Sequence, residues 1–297
     1  MYHINLDYLP NLSRFKKLKI LYCYNNNLTS LPVLPEKLKK LYCCDNNLTL
    51  LPVLPKNLIQ LKCSRNNLTS LPVLPKNLET LFCDNNNLTS LTDLPKNLEI
   101  LYCCNNKLTL LPILSEKLKD LYCSNNKLTS LPVLPKNLKE LYCQTNKLTL
   151  LPILPEKLEI LYCYNNNLIS LPDLPENLER LYCGNNRLTS LPVLPKNLKR
   201  LYCGNNKLTS LPVLHENLID LFFYYNPIRD IIIYDDSVNI LNEQIKIWNN
   251  FRYLYYCLKY RKIFLKMMEP IIKKRYHPSY LYNLVEEDDL DEKLDGW

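Results

Sequence analysis

From Leu18 to Asn226 the chain repeats itself every 20 residues without an insertion. A fixed period of this length points to a solenoid, in which each unit buries its apolar side chains only against its neighbours and no single unit folds alone. The unit reads L-x-x-L-x-C-x-x-N-x-L-T-x-L-P-x-L-P-x-x. It is complete at Leu18, Leu21, Cys23, Asn26, Leu28, Leu31, Pro32, Leu34 and Pro35, and its first half occurs eleven times, ending with Leu218, Leu221, Phe223 and Asn226.

The stretch Ile20 to Tyr24 predicts a strand, with Leu21 and Cys23 on one side and Ile20, Tyr22 and Tyr24 on the other. Successive units stack these strands in parallel. The return segment Leu31 to Pro35 has proline at two of five positions, which removes backbone donors and favours extended or polyproline II geometry. A helix on the outer wall is thereby excluded. The expected fold class is a repeat solenoid: an arc with a parallel β-sheet on the concave face, extended or polyproline II segments on the convex side, and an α-helical carboxyl-terminal cap. Residues 1–17 are read as an amino-terminal cap, 18–226 as the repeats, and 227–297 as the helical cap with an acidic tail.

One polar position recurs in the leucine-dominated turn, at Asn26, Asn46, Asn66, Asn86, Asn106, Asn126, Asn146, Asn166, Asn186, Asn206 and Asn226. Burying an amide costs free energy unless it is hydrogen-bonded. These residues are therefore expected to form a ladder, each bonded to backbone groups of its own and the adjacent turn.

The unit resembles the short bacterial-type leucine-rich repeat, L-P-x-L-P-x-x-L-x-x-L-x-V-x-x-N-x-L, over residues 18–226, with the spacing, the asparagine and both prolines in agreement. It departs in placing Cys23 and its equivalents where that family usually has valine or another aliphatic. Cysteine is a small buried hydrophobe, so the core tolerates it but is less filled.

Ten cysteines recur at 20-residue steps from Cys23 to Cys203. Stacked strands would hold equivalent side chains about 4.8 Å apart on a line, beyond the usual Cβ separation of a disulfide and unlike a tetrahedral metal site. They are read as core. Cys44 and Cys104 follow core cysteines and are expected on the sheet's open face, three turns apart, as incidental exposed thiols. Three histidines and three glycines leave no nucleophile–base pair, paired carboxylates or phosphate loop. No catalytic residue, cofactor, metal ligand or small-molecule substrate is expected, and the chain is read as non-enzymatic.

The position of Tyr22 holds tyrosine eight times, phenylalanine at Phe82 and Phe222, and Lys62 once. Such a ladder stabilises a sheet, and exposed tyrosines also serve as interface anchors. The position of Ile20 shares this face and varies in blocks, with Asp120 and Glu140 near Arg180 and Arg200. The candidate partner-binding set is Asp120, Tyr122, Glu140, Tyr142, Tyr162, Arg180, Tyr182, Arg200 and Tyr202. Mixed signs favour a protein partner over a polyphosphate. Outer-wall residues such as Lys136 and Lys196 belong to a monotonous Pro-Lys-Asn-Leu surface.

After Asn226 the period fails. Ile240, Ile247, Phe251, Leu254 and Leu258 recur at helical spacing, widened by Leu241, Ile245 and Trp248, as expected of a helix covering the solenoid's end. Nine net positive charges fall in residues 1–225 and one net negative charge in 226–297, where a basic stretch from Lys259 to Arg275 precedes an acidic end from Glu286. The segment Lys273 to Tyr280, with Tyr276, His277 and Pro278, the acidic run and Trp297, resembles the tails of repeat proteins of mimivirus-type giant DNA viruses. The absence of alanine and the bias to Asn, Ile, Lys and Tyr agree with an AT-rich genome.

The reading is thus a viral protein-interaction module in the cytoplasm, with no signal peptide or membrane span. One alternative is a substrate receptor associated with a ubiquitin ligase, since bacterial effectors with similar repeats carry a ligase domain. That domain is far larger than the 71 residues after Asn226, and its C-x-D signature is absent around Cys257. The other alternative is nucleic-acid binding through the basic segment of Lys259, Arg261, Lys262, Lys266, Lys273, Lys274 and Arg275. It is disfavoured by pairing of that segment with the acidic end.

Overall fold

The computed structural model of the chain describes residues 5–233, 237–259, 266 and 270. Eleven strands of three residues, from β1 (Ile20–Tyr22) to β11 (Asp220–Phe222), form one parallel sheet in sequence order. Each residue pairs with its equivalent 20 positions on, as in Leu121↔Leu141. A 3-10 turn at Pro227–Asp230 and the helix α1 at Val238–Lys259 follow. The chain divides into two units, residues 1–245 and 246–297. The basic stretch beyond Lys259, except Lys266, and the acidic end from Glu286 lie outside the described residues.

The strands stop two residues short of the expected Tyr24. The cause is the residue at position 25, which is left-handed in every turn, from Asn25 at φ 57° to Tyr225 at φ 58°. After glycine, asparagine and aspartate tolerate this conformation best, and they occupy eight of the eleven turns, with Arg65, Thr145 and Tyr225 as exceptions. Inside the coil the cysteines from Cys23 to Cys203 and, apart from Leu18 and Leu221 in the end turns, the leucines at the positions of Leu21, Leu28 and Leu38 are buried.

Each asparagine of the expected column is held by backbone. Asn126 donates its Nδ2 to the carbonyl oxygens of Cys103, Cys123 and Ser124 at 3.0, 3.1 and 3.2 Å, and its Oδ1 accepts from the Leu108 amide at 3.0 Å. Its own turn and the preceding one are thus stitched through one side chain.

The outer wall carries a second ladder. Asn57, Asn97, Asn137, Asn177, Asn197 and Asn217 donate Nδ2 to the carbonyl oxygen 21 residues earlier, as in Asn197 to Glu176 at 2.8 Å. Where lysine takes this position, Lys117 and Lys157 donate Nζ to Asn97 and Asn137 at 2.7 and 2.8 Å. The Pro-Lys-Asn-Leu segments are therefore structural. They also present a row of aliphatic side chains, Val53, Val73, Ile113, Val133, Ile153 and Val193, at 83 to 89% exposure. Each follows a proline and precedes a buried leucine, so in the extended return segment the leucine points inward and the aliphatic before it outward.

Both ends are closed. Leu6 to Ser13 occupies the place of a preceding return segment: the Leu6 amide donates to Asn26 Oδ1 at 3.0 Å, the Leu6 carbonyl accepts from Asn27 at 2.9 Å, and Leu9 and Leu12 are buried. At the other end Leu241 and Ile245 are buried, and Asn242 bonds the backbone of Leu214.

Candidate functional site

The left-handed residue that ends each strand leaves the positions of residues 20, 22 and 24 as three columns on the open face of the sheet. In the middle column the rings from Phe82 to Tyr202 stack continuously, with centroids 4.0 to 4.5 Å apart. Strand spacing sets that separation, close to the optimum for offset stacking. Because each ring covers its neighbour's face, the row presents edges and hydroxyls outward. Lys62 does not break the row: its Nζ lies 5.3 Å from the Tyr42 centroid and 4.4 Å from that of Phe82, a double cation–π contact.

The nine candidate residues occupy five consecutive strands on this face. Asp120 and Glu140 are register partners. Partial burial, followed by the Glu140 charge, raises the Asp120 carboxyl above its ordinary range. Tyr122 donates its hydroxyl to Glu140. Burial and that carboxylate push the Tyr122 hydroxyl far up, while burial and the Tyr182 hydroxyl push Tyr162 up to about 12. At the basic end Arg200 pairs with Asp220 at 3.0 Å, and Arg180 makes no salt bridge among the described residues. Two of the four charges are thus engaged within the protein, leaving Asp120 and Arg180 as the more available of each sign. Sequence spacing places all four on one face but cannot show which are engaged.

Cys44 and Cys104 face the same side but are half-buried rather than exposed, with burial raising both thiols. Ser124 donates to Cys104 Sγ at 3.0 Å. Neighbouring side chains in the column of residue 24 cover them, a contact the sequence reading overlooked. Among the described residues no group of His, Cys, Asp or Glu could hold a metal ion, and no helix is long and apolar enough to cross a membrane.

The family model described as leucine-rich repeats in two copies matches residues 176–214. Among solved structures the chain is similar to YopM from Yersinia enterocolitica, at 38% identity and a TM-score of 0.74, covering 76% of this chain and 50% of that one. It is similar to YopM of Yersinia pestis, described as a leucine-rich effector protein, at 33% identity and a TM-score of 0.52, covering 75% of this chain and 82% of that one. The functional domain of InlJ from Listeria monocytogenes, described as including a cysteine ladder, aligns at 31% identity and a TM-score of 0.68, covering 77% of this chain and 53% of that one. The chain thus spans about half the length of the first and third of these. No curated relative matches it.

Proposed function

The chain belongs to the leucine-rich-repeat proteins, and on that premise we propose that it binds another protein through the tyrosine-lined face of its sheet. The observation that carries this reading is the closed stack from Phe82 to Tyr202. Its ring faces are occupied by one another, so bases or sugars find little to stack on. The edges and hydroxyls left outside form an amphipathic strip of the kind enriched in protein interfaces. The acidic pair at one end and Arg180 at the other give the strip a polarity that fixes a partner's register. The site comprises Asp120, Tyr122, Glu140, Tyr142, Tyr162, Arg180, Tyr182, Arg200 and Tyr202. The same reading places the protein in a reducing compartment such as the cytoplasm, in keeping with its unbridged thiols. A giant-virus source is supported by residues 273–297 and the alanine-free composition alone.

Partners captured from lysate on wild type, on Tyr142→Ala/Tyr182→Ala and on Lys136→Glu/Lys196→Glu test the reading. Loss is expected with the tyrosine pair. Loss confined to the outer-wall pair, with both variants equally folded by circular dichroism, overturns it.

A further inference from the structure

In the column of residue 24 the side chain disappears twice in succession, at Gly184 and Gly204, after Tyr164. The gap opens a cleft of about 240 Å³, bounded by Tyr164, Tyr182, Tyr202 and Phe222. Neither glycine is left-handed, and the same backbone position elsewhere carries Cys44, Ser64, Asp84 and Gln144, so turn geometry does not demand glycine. At Gly204 a Cβ would lie 2.7 Å from Phe222 Cδ1, whose ring leans into that space. The lean widens the Tyr202–Phe222 separation to 6.0 Å. This is the widest ring separation along the row from Phe82, where the other pairs lie 4.0 to 4.5 Å apart. The volume falls below the roughly 300–1,000 Å³ of drug-sized ligand sites and suits one side chain.

The surroundings are basic. Residues 180–207 contain Arg180, Arg187, Lys196, Lys199, Arg200 and Lys207 and no acidic residue. Lys199 and Arg200 are paired with Glu179 and Asp220, and Lys196 lies on the outer wall. Arg180, Arg187 and Lys207 make no salt bridge among the described residues. The last two stand two residues beyond Asn185 and Asn205, which line the cleft.

Resting on the protein-binding reading above, we propose that this cleft is an anchor pocket for a single aromatic side chain carried by an acidic peptide segment. The guest ring meets the opened faces of Tyr202 and Phe222 edge-on. Carboxylates flanking it reach Arg180, Arg187 and Lys207 as charge-assisted hydrogen bonds. A single-stranded nucleic acid fits less well, because the row offers no second opening as wide and runs past the carboxylates of Asp120 and Glu140.

The test uses the full chain and a fluorescent peptide of glutamate and glycine with one central tryptophan. Gly184→Gln fills the cleft with the residue that Gln144 already places on the same backbone. It is expected to weaken binding about tenfold, as is replacing the peptide tryptophan by alanine, with the two changes together no worse than either alone. Arg187→Ala/Lys207→Ala, which leaves the cleft empty, weakens binding and flattens its salt dependence. Additive losses, no measurable peptide binding, or tighter and competing binding of oligothymidine each overturn the proposal. Lysate partners lost on Tyr142→Ala/Tyr182→Ala but kept on Gly184→Gln would sink the pocket while leaving the wider face standing.

Discussion

The side chain of Asn242 bonds both backbone groups of Leu214: its Oδ1 accepts from the Leu214 amide and its Nδ2 donates to the Leu214 carbonyl, each at 2.8 Å. One side-chain amide on α1 thus satisfies both backbone groups of a residue in the last return segment. An open solenoid end would otherwise leave such groups to water, with Leu211 and Leu214 exposed beneath them. Asn242→Ala is expected to cost about 1 to 3 kcal/mol. Amide hydrogen exchange should quicken first at Leu214; unchanged protection there would show that the helix covers the end without sealing it.

In mid-array, Asn126→Ala removes four hydrogen bonds to two turns and should cost about 1 to 3 kcal/mol through orphaned backbone groups. Leu121→Ala, in the wholly buried column, should cost about 2 to 5 kcal/mol through its cavity. Denaturant melts check both. Losses below about half a kcal/mol would mean the turns are not coupled through these side chains.

The buried thiols make the fold sensitive to alkali. Burial pushes Cys23, Cys143 and Cys183 up to about 12 and raises the other seven of the column well above their ordinary value of 9.0. With the folded value above the unfolded one, the unfolded chain loses protons first as pH climbs past about 9, and stability falls from there. Each thiol removes up to about 1.4 kcal/mol per pH unit. Chemical denaturation midpoints should be level in this respect below pH 9 and drop steeply above it. A flat profile to about pH 11 would contradict the packing described.

A thiol reagent should leave the ten column cysteines unreacted in the native state, with Cys44 and Cys104 reacting slowly behind their neighbours. All should react, with no bridge to reduce, once the chain is unfolded. Rapid native labelling of the column would show that the turns open singly rather than as a stack.

Lys62 offers a separate test of the stacked row. Lys62→Ala should cost about 0.5 to 1 kcal/mol by removing both cation–π contacts, whereas Lys62→Tyr should be close to neutral because a ring restores the stack. An alanine as stable as wild type would mean the ammonium rests between Tyr42 and Phe82 without holding them.

The inner half of each turn was legible because one residue type recurs at each buried position: leucine, cysteine and asparagine read directly as sheet, core and ladder. The outer half was less so. Asn57 and its equivalents looked like uniform surface, since an exposed asparagine bonded to a carbonyl 21 residues away carries no local signature. Leu6 to Ser13 was obscured because it joins the first repeat two residues out of phase. The open face of the sheet was visible as a pattern of tyrosines and charges. Its engaged pairs, Tyr122 with Glu140 and Arg200 with Asp220, and the cleft beside Gly184 depend on side-chain reach, which spacing does not encode.

The in-register stack also bears on how such a gene can change. Every turn meets its neighbours through the same columns, so the loss or doubling of one whole repeat leaves both asparagine ladders, the thiols and the leucines continuous, while a slip of one residue inverts the faces of its strand. Unequal recombination between repeats is therefore a tolerated path and small frame-preserving insertions are not. The length of the tyrosine-lined face is then a quantity that selection can adjust turn by turn, without redesigning the interior.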